Sequence, residues 1–243
     1  LHPRPDRMVA LTTPPFLAIL VRLISRLRRA NHGHWVMDLY PDVMVAHGMI
    51  RKRGLLHRLL DSLTRWGFGG KRCAGVWSLG PDMKRRVDCF LGEEKKSEWI
   101  ALWGAEREVE KLDIEARAIR EERGWEDDEL VVMYSGNLGL GHLFEEVLEV
   151  AESQGSSSEG KKIRFSFHGE GKRRVEVENF LEAYPASPTE LHGYEREERL
   201  RAHLRSADLH LVSLNPVWDG TMVPSKLQGI FAVGRPVVFV GSE

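Results

Sequence analysis

From residue 130 to residue 240 the chain repeats one pattern: a short apolar run of strand length, a turn of glycine or polar residues, then a stretch of helical length. Strands are expected at 130–134, 163–167, 190–192, 208–214 and 236–240, and helices at 142–152, 172–183, 195–207 and 225–233. Strict alternation of this kind requires crossover helices, so the strands must run parallel with helices covering both faces. The later half therefore reads as an α/β, doubly wound layer, in which ligands bind outside the carboxyl ends of the strands.

The earlier half carries a weaker version of the same pattern. Strands are expected at 8–11, 34–39 and 75–79, and helices at 16–29, 55–66 and 81–89. That is fewer strands than a complete layer of this type holds. Residues 104–129 are acidic and poor in large apolar side chains. They read as a solvated helix around 106–122 that connects two domains. The expected organisation is a first domain over 1–105, an acidic connection over 106–128 and a second domain over 129–243.

Charge divides the chain in the same place. Residues 1–90 hold 16 Lys and Arg against 6 Asp and Glu, and the remainder holds 19 against 30. A basic first half attracts anionic lipid, diphosphate or nucleic acid. It contains no recognised nucleic-acid-binding module, so no nucleic-acid partner is expected. The helical stretch 16–29 and the segment 51–72 around the helix at 55–66 mix Leu, Ile and Trp66 with many arginines, a composition suited to lying on an anionic bilayer. No apolar run reaches the roughly 20 residues that span one, and the N-terminus lacks the order of a signal peptide. The expected location is cytoplasmic, peripheral at the inner membrane face. Cys73 and Cys89 are too few for a disulfide framework and read as reduced thiols. There is no Asp-x-Asp and no His/Cys grouping at ligand spacing along the chain, so no metal site is expected.

Three loops at expected strand ends carry candidate chemistry. The first is Ser135-Gly-Asn-Leu-Gly-Leu-Gly-His142, where glycines let backbone N–H groups approach a phosphate beside a helix N-terminus. Its glycine spacing differs from the dinucleotide fingerprint, and no acidic ribose hook follows, which argues against a nicotinamide or flavin enzyme. The second is Phe167-His-Gly-Glu-Gly-Lys172. The third is Trp218-Asp-Gly-Thr-Met-Val-Pro-Ser-Lys226, in which Pro224 suits a first helical turn and Lys226 supplies a mobile cation for a leaving diphosphate.

The order of these segments, followed by Ala207-Asp-Leu-His-Leu-Val-Ser-Leu and Ala232-Val-Gly-Arg-Pro-Val-Val, resembles family 4 glycosyltransferases. Within that family it looks closest to the branch that builds bacterial exopolysaccharides such as colanic acid. In the first half, Trp35-Val-Met-Asp-Leu-Tyr-Pro-Asp, Gly80-Pro-Asp-Met-Lys-Arg-Arg and Trp99-Ile-Ala-Leu-Trp are similar to that branch's acceptor-side domain. The resemblance implies the GT-B arrangement, two Rossmann-like domains facing a cleft. It further implies about three βα units before Leu1 and final helices after Glu243. The N-terminal domain here would then be incomplete, the C-terminal domain would lack its last helices, and the piece would be poorly active by itself.

The same resemblance implies the reaction: transfer of a sugar from a nucleotide-sugar, a substrate rather than a cofactor, to a lipid-linked or glycan acceptor. Retention of configuration is implied by the resemblance alone. Negative charge develops on the leaving phosphate, so donors and cations must be aimed at it. Gly136, Asn137, Gly139, His142, Gly169, Glu170, Thr221, Ser225 and Lys226 are expected at the donor, with Asp38 and Tyr40 on the acceptor side. Asp38 and Lys226 are the expected catalytic residues. The sequence departs from the family at its usual diphosphate pair, where Asn137 and His142 stand, and at Gly229, where a carboxylate is usual. Two readings stay open beside transfer: a nucleotide-sugar epimerase on the same fold and a noncatalytic nucleotide-sugar-binding protein.

Overall fold

The structure is a computed structural model that describes residues 6–92, 97–103, 109–155 and 162–242. The chain divides into two compact units: residues 1–102 with 217–223, and residues 103–216 with 224–243.

The first unit has a four-stranded parallel sheet in the order β1 (Arg7–Ala10), β2 (Asn31–Trp35), β3 (Cys73–Ser78), β4 (Glu98–Trp99). Helices α1 (Leu17–Arg28), α2 (Asp42–Ala46), α3 (Leu55–Phe68) and α4 (Pro81–Leu91) connect the strands. Pro81 opens α4, where its missing N–H costs nothing, and Asp82 follows in the first turn. Val36, Leu39, Phe68, Val76, Met83 and Val87 form the core. The strand expected at 34–39 ends at Trp35. The apolar signal continues because Val36 and Leu39 are fully buried from a loop instead of a ladder. That loop is pinned by Met37 and Asp38 N–H groups donating to Thr12 Oγ1, each at 3.0 Å. The short α2 and β4 were not expected. Both fall below the length at which periodicity speaks.

The second unit has a five-stranded parallel sheet in the order β7-β6-β5-β8-β9. The strands are β5 (Leu130–Ser135), β6 (Ile163–His168), β7 (Thr189–His192), β8 (Leu209–Ser213) and β9 (Val237–Val240). Helices α5 (Val109–Arg123), α6 (Glu145–Gly155), α7 (Arg174–Ala183), α8 (Leu200–Ser206) and α9 (Lys226–Ala232) complete it. Its strand order is that of a nucleotide-binding Rossmann layer, with the switch point between β5 and β8. Tyr134, Phe144, Leu148, Phe165, Phe167 and Val177 form a core under α6 and α7. Leu112, Ile119, Ala202, Leu204, Val212 and Ile230 form another with α5, α8 and α9. The loop expected over 155–160 lies, apart from Gly155 at the end of α6, outside the described residues.

The acidic stretch expected to act as a solvated connection is, over its described residues, a packed part of this unit. Leu112, Ala116 and Ile119 are buried and recur at helical spacing, so even a sparse apolar set makes one stripe. Its acids meet arginines in and just before α8: Asp113 accepts from Arg205 at 2.7 Å and Glu122 from Arg199, the N-cap residue, at 2.5 Å. Arg120 donates to Ser206 O at 2.9 Å and to Asp208 Oδ2 at 3.1 Å. Ile119→Ala is expected to destabilise the second unit by about 2–5 kcal/mol in urea unfolding, as buried large-to-small changes do. A loss below about 1 kcal/mol would show that α5 contributes no core.

Candidate functional site

The crevice of the second unit opens where β5 and β8 send their connections to opposite sides, and Lys226 stands in it as the first residue of α9. Its Nζ lies 3.6 Å from the centroid of the Tyr134 ring. It is also 3.5 Å from where a Cβ on Gly136 would stand. The ammonium is buried and has no hydrogen-bond partner among the described residues. Burial pushes its pKa down to about 7. A ring face attracts a desolvated cation by about 2 kcal/mol, which does not replace lost hydration. An anion entering the crevice would meet an unpaired charge already in place. Tyr134 is itself fixed, since its hydroxyl donates to Asn137 O at 2.7 Å.

The first two candidate loops interlock. Gly136 N–H donates to His168 O and Leu138 N–H to Glu170 O, both at 2.9 Å, and Arg173 N–H returns to Leu138 O at 2.9 Å. Gly169 (φ 136°) and Gly171 (φ 150°) make this possible. A Cβ on Gly169 would overlap Gly136 O, and one on Gly171 would overlap Leu138 O and come within 2.6 Å of Asn137 Oδ1. The Gly136 amide, expected to cradle phosphate, is therefore spent on the loop beside it. Asn137 is exposed, and its side-chain nitrogen lies 3.1 Å from where a Cβ on Gly139 would stand. Glu170 is exposed and pairs with Arg174 at 3.3 Å.

His142 was expected to gain charge at lower pH and serve as a diphosphate contact. The structure buries it, and its Nδ1–H donates to Ser213 O at 2.6 Å. Burial first, then the Lys226 charge, pushes its pKa down to about 4. It is a neutral imidazole packed edge-on to Tyr134 and supplies no cation near neutral pH. The same tether delays α6, which starts at Glu145 instead of 142, with Leu143 N–H bound to Ser213 Oγ at 3.0 Å. Ser225, exposed at the N-cap of α9, makes no capping bond with its hydroxyl.

Thr221 belongs to the other compact unit. It lies in the first unit, buried, with its hydroxyl donating to Trp218 O at 2.6 Å and its carbonyl accepting from Leu39 N–H at 2.9 Å. Asp38 and Tyr40 do come together in the first unit, where both line a small pocket with Thr12, Phe16 and Thr64. Burial pushes the Asp38 pKa up, and burial and the Asp38 charge push Tyr40 up. Asp38 also bridges Met222 of the returning segment.

Tyr134 as the platform under Lys226 was not expected, because a strand aromatic reads simply as core. The expectation of no metal-ligand grouping also needs correction. Among the described residues, His32, His34 and Cys73 gather in the first unit, and His168, Glu190 and His192 in the second. Each group spans neighbouring strands, where register, not sequence spacing, sets proximity.

No protein-family model matches the chain. It is similar to the putative colanic acid biosynthesis glycosyl transferase WcaI of Escherichia coli (strain K12), 23% identical over 238 residues. It is likewise similar to the probable glycosyltransferase WbjE of Pseudomonas aeruginosa, 24% identical over 240 residues. These matches cover 97% and 98% of the chain but 57% and 58% of the relatives, so the chain spans little more than half their length. Among solved structures, Anabaena Alr3699/HepE in complex with UDP-glucose matches with a TM-score of 0.66 and 13% identity, over 97% of this chain and 60% of that one. The alpha,alpha-trehalose 6-phosphate synthase of Burkholderia multivorans matches with a TM-score of 0.68 and 13% identity, over 100% and 57%. The fold is of the GT-B glycosyltransferase type, with Rossmann-like parallel sheets.

Proposed function

We propose that the protein containing this chain is a family 4-like glycosyltransferase. It moves a sugar from a nucleotide-sugar to a lipid-linked or glycan acceptor in bacterial exopolysaccharide or cell-surface polysaccharide synthesis. The observation that carries this reading is the buried, unpaired ammonium of Lys226 at the switch point of a Rossmann-like sheet. Similarity to WcaI and WbjE over nearly the whole chain supports it. The complexes of the structural relative HepE with UDP-glucose and UDP make a uridine diphosphate sugar the first donor to test.

In this reading Lys226 faces the diphosphate and stabilises the charge that develops as the sugar leaves. Fixed cations in a dry site act strongly there because little reorganisation is needed during reaction. The lysine takes the place of a metal ion at the leaving group, and the configuration of the sugar is retained. Asn137, Ser225 and the exposed Glu170 contact the rest of the nucleotide. In the first unit Asp38 orients or deprotonates the acceptor hydroxyl, and burial makes its carboxylate more basic.

An anionic membrane surface is the proposed setting. No described helix is long and apolar enough to cross a membrane. On the mutually packed α1 and α3, Leu27 is 83% and Leu55 87% exposed, with Leu20, Leu23, Leu56 and Leu59 also in solvent. Arg26, Arg28 and Arg58 lie on the same two helices.

Nucleotide-sugars titrated against the intact protein, followed by turnover with and without a lipid-linked acceptor, test the proposal. The expected result is donor binding and product that depends on acceptor. Product without acceptor would favour the epimerase, and binding without turnover a binding protein. Absence of any nucleoside diphosphate binding would remove all three.

A further inference from the structure

Ser166 and His168 alternate on one face of β6, and their register partners on β7 are Glu190 and His192. The rings of His168 and His192 are parallel to within 17°, with centroids 4.8 Å apart. His203 from α8 stands edge-on to His168 at 4.3 Å. His168 and His203 are buried almost completely.

The protons of this cluster can be placed. Glu190 can only accept, and its Oε1 receives Trp125 Nε1–H at 3.1 Å and the Ser166 hydroxyl at 2.6 Å. Ser166 Oγ must then accept from His168 Nε2–H at 2.6 Å. That leaves His168 Nδ1 with a bare lone pair, buried and without a partner among the described residues. His192 Nε2 lies 3.3 Å from Glu190 Oε1, and neither nitrogen of His203 has a hydrogen-bond partner among the described residues. Buried polar atoms are nearly always satisfied, so several on one face indicate a missing ligand. The guanidiniums around the cluster are committed elsewhere: Arg164 to Glu129 at 2.7 Å, staying 3.7 Å from Glu190 Oε2, Arg123 to Glu195 at 3.3 Å, and Arg174 to the His192 carbonyl at 3.0 Å.

We infer that His168, Glu190 and His192 bind one divalent ion of the zinc class, which ties the tip of β6 to β7. Their ligand atoms already lie within 4.8 Å of one another. Bound to one tetrahedral zinc they would be about 3.4 Å apart, given metal–ligand distances of about 2.0–2.2 Å. Side-chain rotation covers the difference. Two imidazoles and a carboxylate match zinc's preferences and leave a position for water. The His192 side chain, 39% exposed, gives the ion its way in. The ion orders the loop beside it. The His168 carbonyl receives the Gly136 amide, so fixing His168 fixes the loop that closes the crevice.

Metal-free intact protein titrated with Co²⁺ and then Zn²⁺ tests the site. One equivalent should bind, with the visible bands of a four-coordinate nitrogen–oxygen site, and zinc should displace cobalt and raise the melting temperature. His192→Ala and Glu190→Gln should each weaken binding at least about tenfold, the loss typical even of outer-shell changes. The circular dichroism of both metal-free variants should stay unchanged. Cys73→Ser should bind normally. No saturable binding, binding indifferent to both variants, or a thiolate charge-transfer band lost in Cys73→Ser would overturn the assignment. The last outcome would move the ion to the His32, His34 and Cys73 group. Nucleoside diphosphate binding at Lys226 is measured separately, so failure of that reading is told apart from failure of this one.

Discussion

Lys226→Met is expected to weaken nucleoside diphosphate binding about 10- to 100-fold, while free nucleoside binding changes less than about twofold. The range follows from losing one charge-assisted contact of about 1.5–3 kcal/mol. The same substitution should raise the thermal midpoint of the unliganded protein. The lysine pKa is pushed down from 10.5 to about 7 on folding, so the unfolded chain binds more protons between those values. Stability of the parent protein therefore rises with pH through that window, and the burial penalty is largest below pH 7. The stabilising effect of methionine should be greatest at pH 6 and fade toward pH 10. Calorimetry and melting curves over that range check both halves. Equal losses for nucleoside and nucleoside diphosphate would exclude a diphosphate contact, and an unchanged midpoint would mean the ammonium is solvated.

Gly169→Ala is expected to cost far more than a methyl added at a left-handed glycine with open space around it. The residue stands at φ 136°, and the new Cβ would occupy the place of Gly136 O. Backbone strain of this kind costs about 1–3 kcal/mol before any clash is counted. Relief of the clash requires the two loops to separate, which breaks the hydrogen bonds that Gly136 and Leu138 donate. A total above about 3 kcal/mol, with loss of nucleotide binding, is the expected outcome. Gly124→Ala supplies the comparison. Its φ is also positive, 68°, but nothing lies within 4 Å of the added Cβ. It should cost about 1–2 kcal/mol, the left-handed penalty alone. Similar losses for both variants would show that the loops do not interlock.

The candidate site was legible in part. The strand-end loops at 135–142 and 167–172 were readable because glycine between a strand and a helix has few other uses. Their employment was not. The Gly136 amide was expected to face phosphate and instead holds the loop after β6. His142 was expected to be a weak cation and is a buried neutral ring. Thr221 was expected at the donor from the family resemblance, and it packs in the first unit, since the chain passes from one unit to the other between residues 223 and 224. Short elements such as α2 and β4 were missed because they are too short for their periodic pattern to repeat.

The strand count of the second unit, the parallel sheet and the places where loops carry function came from the sequence alone, since hydrophobic periodicity is a local property of neighbouring residues. The tertiary structure decided which unit α5 packs into, why Lys226 titrates near neutrality over Tyr134, and how His168 comes to face Glu190 and His192. Charge state, hydrogen-bond satisfaction and ligand geometry depend on burial and on partners that only strand order and register bring within reach.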